Sequence, residues 1–418
     1  MTKPTDNTIL PQPQRWQDTG LRRDFLEGLA LKILFLRGEL LLRDLANEMR
    51  LNLAVVEELF QLLRREQLVE ARGMKAGNYE VVASGQGKAR ALELLSLNQY
   101  AGPAPVSLTD YSHMVRAQSL RNAEVVPADV RQVFSDLVLP EDVLMRIGTA
   151  VVSGTSILLH GPTGSGKTTI ADHLADIYPD SVWIPHCLEV DNQIIAIFDP
   201  TIHHPVEQPD PHVSDARWVR CRRPRVLVGG ELTSEMLELQ VNTFTKFYSA
   251  PLQMKANNGV LVIDDLGRQR VSPEALLNRW IVPLDRRIDF LTLGGGKTFE
   301  MPFDMFVVFS TNLDLGTIAD GTFLRRIPNK IKIGNLDAAQ FHAISKNVCA
   351  ATHLRYDPAV IDHLIKIISV DLKQPLRACH PRDIAAQILW SAKYRDVAPE
   401  LNPQSVEQAC LNYFVESE

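Results

Sequence analysis

Gly161-Pro162-Thr163-Gly164-Ser165-Gly166-Lys167-Thr168 is the stretch on which the reading of this chain turns. It follows an apolar run, Ile157-Leu158-Leu159-His160, and opens a helical pattern from Thr169 to Tyr178. Strand, glycine-rich turn and helix form the context in which G-x-x-x-x-G-K-[ST] binds phosphate. The glycines let the backbone curl so that its N–H groups face phosphate oxygens, and the helix N-terminus adds partial positive charge. In that setting Lys167 reaches the β- and γ-phosphates of a nucleotide, and Thr168 gives its hydroxyl to Mg²⁺. The alternative, a chance glycine-rich turn, is disfavoured because the full pattern and both flanks are present.

The rest of the composition is ordinary. With 418 residues, 45% hydrophobic and 22% charged, the chain has the balance of a soluble globular protein of several domains. A net charge of −6 argues against a surface devoted to nucleic acid, while allowing a local patch. Cys187, Cys221, Cys349, Cys379 and Cys410 are scattered and form no CxxC pair, which fits a reducing compartment. Met1 to Gln14 is polar and has no signal-type apolar region, and no apolar run is long enough to span a bilayer. A cytoplasmic protein without membrane insertion is expected.

Residues 1–20 read as a flexible lead-in. From Leu21, apolar residues recur at helical spacing in Phe25-Leu29-Leu31-Ile33-Leu34, in Leu42-Leu45-Met49 and in Val55-Val56-Leu59-Phe60-Leu63. Leu68–Ala71 and Tyr79–Val82 then read as a short hairpin, with a closing helix from Gly87 to Leu97. Three helices and a hairpin over 21–98 resemble a winged-helix domain, an α+β unit. Such units often place the helix after the turn in the major groove of DNA. Here that helix carries Glu57 and Glu58, and Arg64 and Arg65 stand only near its end. A DNA reader normally shows a basic face, so protein interaction or assembly is preferred over nucleic-acid binding. Gln99 to Leu108 breaks the helical pattern, and 99–127 reads as a linker. Ala128–Leu137 and Pro140–Val152 read as helices leading into the apolar run at Ile157.

Downstream, Gly259-Val260-Leu261-Val262-Ile263-Asp264-Asp265 is a continuous apolar run ending in two carboxylates. That composition suits a buried parallel strand, and its C-terminal end is where ligands bind in open α/β sheets. Asp264 is placed to hold Mg²⁺ through water. A further strand, Phe306–Phe309, runs into Ser310-Thr311-Asn312, where an amide can orient an attacking water. Phe323-Leu324-Arg325-Arg326-Ile327 follows, then a strand Lys330–Ile333. Leu336 to Ser417 reads as all-helical and contains Cys379-His380-Pro381-Arg382-Asp383.

In this order and spacing, over about residues 128–418, the chain resembles an AAA+ ATPase. The resemblance implies an α/β, parallel-sheet nucleotide domain (128–334) followed by a helical lid (335–418). It implies ATP and Mg²⁺ at Gly161, Pro162, Thr163, Gly164, Ser165, Gly166, Lys167, Thr168 and Thr169, with Thr168 and Asp264 on the metal. Asn312 becomes sensor 1, Arg325 or Arg326 a finger acting in trans, and Arg382 sensor 2. A segment placed like Asp136-Leu137-Val138-Leu139 lines the adenine pocket in this family; a plain connection between helices accounts for it equally well. A finger in trans also implies a homo-oligomer, usually a hexameric ring.

The sequence departs from the family in two places. Asp265 stands where a glutamate normally polarises water, one methylene shorter, so hydrolysis is expected to be slow or to draw on a second carboxylate; Glu231 after Val228-Gly229-Gly230 is the candidate helper. The region near 186–255 is much longer than a minimal module needs. It holds the strongest basic cluster, Arg217-Trp218-Val219-Arg220-Cys221-Arg222-Arg223-Pro224-Arg225, suited to an interface or to a nucleic-acid backbone. His186, Cys187, His203, His204, His212 and Cys221 match no standard zinc spacing. No aromatic-apolar-glycine pore loop is evident. Residues 287–301, around Gly294-Gly295-Gly296, carry a hairpin signature. The expected function is an oligomeric ATPase that remodels or assembles a protein complex. The rivals are a DNA-binding ATPase using the winged helix with the arginine cluster, and a nucleotide switch that scarcely hydrolyses.

Overall fold

The computed structural model describes residues 10–75, 77–206, 214–314, 316 and 324–414. His212, Phe323, residues 1–9 of the lead-in and Ser417 therefore lie outside the described residues.

Five parallel strands form the central sheet, in the order Arg225–Val228, Val260–Ile263, Phe306–Thr311, Ser156–His160, Asn329–Lys332. Side chains alternate between faces along a strand, and the apolar runs fill two cores. On one face Ile157, Leu159, Val260, Val262, Phe306 and Val308 pack with helices Pro127–Val133, Glu141–Ser153 and Lys167–Leu174. On the other, Leu158, Leu261, Ile263, Val307 and Phe309 pack with Leu276, Leu277 and Trp280. A sheet covered on both faces needs strands without a polar side, and all six residues of Phe306–Thr311 are buried.

Register aligns the strand ends. Ile263 pairs with Phe309, and His160 pairs with Thr311. The residues that follow, Gly161, Asp264 and Asn312, consequently leave the sheet at one edge, where open α/β folds bind ligands. Val182–Ile184 belongs to a strand, but not of this sheet: Ser181–Pro185 pairs antiparallel with Trp218–Arg222. Arg225–Val228 takes the edge position beside the Asp264 strand instead.

The long region is a folded module with its own core. Strands Val106–Ser107, Cys187–Val190, Gln193–Ala196, Gln240–Val241 and Tyr248–Ser249 form one five-stranded sheet, and Ile288–Thr292 with Thr298–Pro302 forms the expected hairpin. Leu291, Leu293, Phe299 and Met301 of that hairpin share a core with Trp183, Leu188, Ile195 and Trp218. Tyr111 and Met114, from helix Leu108–Ala117, join the same core. The stretch expected to be linker thus supplies a strand and a helix, because Tyr111, Met114 and Val115 repeat at helical spacing.

At the N-terminus, helices Arg23–Arg37, Leu42–Met49, Leu53–Arg65 and Gly85–Leu97 surround a three-stranded antiparallel sheet that includes the hairpin Val69–Lys75 and Asn78–Ala83. A C-terminal group of helices, Ala338–Thr352, Pro358–Lys366, His380–Tyr394 and Pro403–Tyr413, closes the chain.

The lead-in is held rather than free from Leu10 onward. Pro11 bridges to Ser214, Asp215 N–H donates to Leu10 O at 3.0 Å, and Thr19 is fully buried. Arg217 is the knot. Its guanidinium pairs with Asp215 at 2.8 Å and donates to Thr19 O at 2.9 Å and Pro105 O at 3.1 Å, with both charged side chains nearly buried. Removing one member of a buried pair leaves the other charge uncompensated. Arg217→Ala is expected to cost about 3–5 kcal/mol, read as a lower urea midpoint at unchanged slope.

Candidate functional site

Two glycines shape the phosphate loop. Gly161 has φ 144, and a Cβ there would lie 2.0 Å from Ile333 O; Gly164 has φ 78, and a Cβ would meet Cys379 Sγ at 2.6 Å. Either substitution would force backbone or lid away. Thr168 Oγ1 donates to Asp264 Oδ2 at 2.7 Å, joining the loop helix to the carboxylate strand. The Lys167 ammonium folds back onto the loop, donating to Pro162 O at 2.8 Å and Gly161 O at 3.1 Å. Burial lowers its pKa, and the Asp265 and Asp264 carboxylates pull the other way. Asn312 Nδ2 donates to Thr163 Oγ1 at 3.1 Å, so its amide meets the middle of the loop.

These groups suit a nucleotide and its metal. The Thr168 hydroxyl and the Asp264 carboxylate are hard oxygen ligands already within one hydrogen bond of each other, the chemistry Mg²⁺ selects. The buried Lys167 ammonium, which among the described residues meets backbone carbonyls and a hydroxyl, has phosphate oxygens as stronger partners.

The two arginines of the finger motif differ. Arg326 is held within its own chain by Asp285, Nε to Oδ2 at 2.8 Å, whereas Arg325 is exposed and makes no ion pair among the described residues. Arg382 does not reach the loop. It is 74% exposed, and its Nε donates to Asp383 Oδ1 at 3.1 Å. The lid touches the loop just before that helix: Cys379 N–H donates to Gly164 O at 3.1 Å, and Arg377 Cδ lies 3.5 Å from where a Gly164 Cβ would sit. Arg377 Nε is buried without a hydrogen-bond partner among the described residues. Sequence reasoning missed Arg377, since it stands outside the proline-arginine helix start and only the lid's docking brings it to the loop. Behind it, His380 is buried against Phe414, which holds its imidazole pKa down to about 4.

Glu231 is turned onto its own turn, accepting from Gly229 N–H at 3.0 Å, which lowers its pKa. Asp136–Leu139 connects two helices; the Asp136 carboxylate meets His173 of the loop helix at 3.1 Å, and its carbonyl accepts from Asn347 of the lid at 3.4 Å.

The basic cluster is not a basic face. Arg217 is spent in the buried junction. Arg223 pairs with Asp180 and donates to Gln118 O and Asn258 O at 3.0 and 2.8 Å, its side chain only 4% exposed. Arg220 donates to Ser181, Arg225 pairs with Asp172, and Arg222 stays exposed. In the strand Trp218–Arg222, Trp218, Val219 and Cys221 are buried, Arg220 is half-buried and Arg222 is exposed, so a linear run of charge is divided among different surroundings. His203 is likewise engaged, with Asp199 N–H and Lys255 O. Among the described residues no group of three or more His, Cys, Asp or Glu is placed to hold a metal ion. No helix among them is long and apolar enough to cross a membrane.

Residues 143–285 match the family described as AAA ATPase domain, and residues 337–412 match a Domain of unknown function (DUF8689). No curated protein matches the chain. Among solved structures, a mutant of RuvB from Thermotoga maritima is similar at 12% identity and a TM-score of 0.38, over 70% of this chain and 72% of that one. Another structure, described as the Thermotoga maritima RuvB Holliday junction branch migration motor, is 13% identical with a TM-score of 0.36, over 70% and 72% of the two chains. Such low scores carry no argument. The matching ATPase domain does, because it spans the phosphate loop and the Asp264 strand, whose side chains meet as nucleotide chemistry requires. Residues 143–285 thus carry an AAA ATPase domain with a P-loop.

Proposed function

We propose that this protein is a Mg²⁺-dependent ATP hydrolase that works as a homo-oligomer, a hexameric ring in the simplest case. The observation that carries the reading is the meeting of Lys167, Thr168 and Asp264 at one sheet edge, with Asn312 hydrogen-bonded to Thr163 of the phosphate loop. ATP would lie along residues 161–169. A Mg²⁺ ion held by Thr168 and Asp264 would neutralise charge on the β- and γ-phosphates. Lys167 would turn from the loop carbonyls to phosphate oxygens, Asp265 would accept the proton of the attacking water, and Asn312 would orient that water. Arg325 would enter a neighbour's site, and Arg377 would approach the phosphates from the lid, with Arg382 further out. We divide the chain into a winged-helix-like unit near 21–98, a nucleotide domain over 128–334 and a lid from 335.

The output we favour is remodelling or assembly of a protein complex in the cytoplasm. The buried Arg217 junction supports transmission through the inserted module, since it fastens the N-terminal unit to that module. A protein client is preferred to nucleic acid because Arg217 and Arg223 of the arginine cluster are buried in ion pairs within the chain. The slow-switch reading keeps one supporting observation, the shorter Asp265. Steady-state turnover of Asp265→Asn and Glu231→Gln separates these accounts. Asp265→Asn is expected to lower turnover about 10²-fold or more while retaining ATP, and Glu231→Gln to leave it unchanged. Loss of turnover with Glu231→Gln alone would move the base to Glu231.

A further inference from the structure

We propose that Gln269, which belongs to no motif in the sequence, is the positioning residue of the carboxylate loop that follows the Asp264 strand. The assignment rests on the ATPase reading. Residues 264–269 form a tight turn, and the Gln269 side chain closes it from within. Its Nε2 donates to Asp264 O at 2.7 Å and to Asp265 O at 3.1 Å, while its Oε1 accepts from Gly267 N–H at 2.8 Å. Asp265 O also accepts from Arg268 N–H at 3.0 Å, so the amide's distinct contribution is to donate to Asp264 O while accepting from Gly267 N–H, which needs a side chain with both a donor and an acceptor.

What the clamp holds is an uncommon backbone. Asp265 sits at φ 49, in the left-handed region that non-glycine residues seldom adopt. Its own N–H is bonded to Asp264 Oδ1 at 3.0 Å, so the two carboxylate residues are set by the same turn. An aspartate has a short side chain, and the place of its carboxylate is dictated by its backbone more than a glutamate's would be. The clamp therefore does for Asp265 what an extra methylene and its rotamers would otherwise have to do.

The turn is also tied to the neighbouring strand. Leu266 N–H donates to Ser310 O at 2.7 Å, and Thr311 Oγ1 donates to Leu266 O at 2.9 Å. The next residue is Asn312, whose amide reaches the phosphate loop. Gln269 thus stands behind Asp265 and, through Leu266, beside Asn312, and it contacts no reacting atom itself. It acts through the carboxylate it places.

The test uses the full chain with Gln269→Glu, Gln269→Ala, Asp265→Asn and the double variant Gln269→Ala/Asp265→Asn. Gln269→Glu keeps the shape but turns the donor into a carboxylate facing two carbonyls. Both single Gln269 variants are expected to lower kcat roughly tenfold to a hundredfold, the scale of a small misplacement. Affinity for a fluorescent ATP analogue and the thermal midpoint should stay at the wild-type values. Amide exchange in a peptide covering 264–270 should quicken without nucleotide. In the Asp265→Asn background, adding Gln269→Ala should cost nothing further, as for residues acting as a unit. An additive loss in the double variant, unchanged exchange, or parallel losses of affinity and thermal midpoint would overturn the assignment. A wild type no faster than Lys167→Ala overturns the ATPase reading and this assignment with it. A wild type that turns over, with Gln269 variants equally fast, overturns the assignment alone.

Discussion

Arg325→Ala is expected to lower ATP turnover by about 10³-fold or more while leaving nucleotide binding near wild type. An arginine brought to the γ-phosphate stabilises charge that develops only in the transition state, so its loss appears in kcat and not in affinity. The structure separates the two adjacent arginines that the sequence left equivalent. Arg326 is engaged by Asp285 and only 13% exposed on its side chain, while Arg325 is exposed and makes no ion pair among the described residues. Arg326→Ala should therefore cost about 1 kcal/mol of stability or less and only modest turnover. Mixing Arg325→Ala with Lys167→Ala supplies the decisive control. Neither chain is active alone, but a site formed between an intact phosphate loop on one and an intact Arg325 on the other should recover activity. A mixture as inactive as its components, or a larger loss from Arg326→Ala, contradicts the assignment.

How much of this was legible in the sequence follows from the range of each interaction. The phosphate loop and the Asp264 strand were readable because their chemistry is local: glycines for a turn, unbroken apolar residues for a strand buried on both faces. Asn312 was readable by position after its strand, and register then brought it to Thr163. The arginine cluster shows in sequence only its count of charges; folding gives Arg217 and Arg223 partners within the chain and leaves Arg222 exposed. Arg217 and Arg223 pair with carboxylates 2 and 43 residues away in sequence, the buried Asp215 and the part-exposed Asp180. The lead-in seemed free since its contacts are with Asn52, Glu58 and residues near 214–217, none of them local in sequence. Arg377 was invisible for a related reason: only docking of the lid on Gly164 brings it near the loop. Gln269 carries no motif signal, and its role rests on three hydrogen bonds within one turn.

Lys167→Ala should have the other largest effect. Lys167 sits at the centre of the loop, 6% exposed, with the Asp264 and Asp265 carboxylates close enough to oppose the effect of burial on its pKa. Phosphate oxygens would give that ammonium charge-assisted partners in place of loop carbonyls, and alanine removes both the ground-state contact and the charge needed as the γ-phosphoryl group transfers. The most direct test of the whole account is steady-state phosphate release from Mg²⁺·ATP by the wild-type chain and by Lys167→Ala, at matched concentration. Turnover by the wild type that rises with protein concentration as oligomers form is expected, and none above background for Lys167→Ala. Equal phosphate release by the two chains would contradict it.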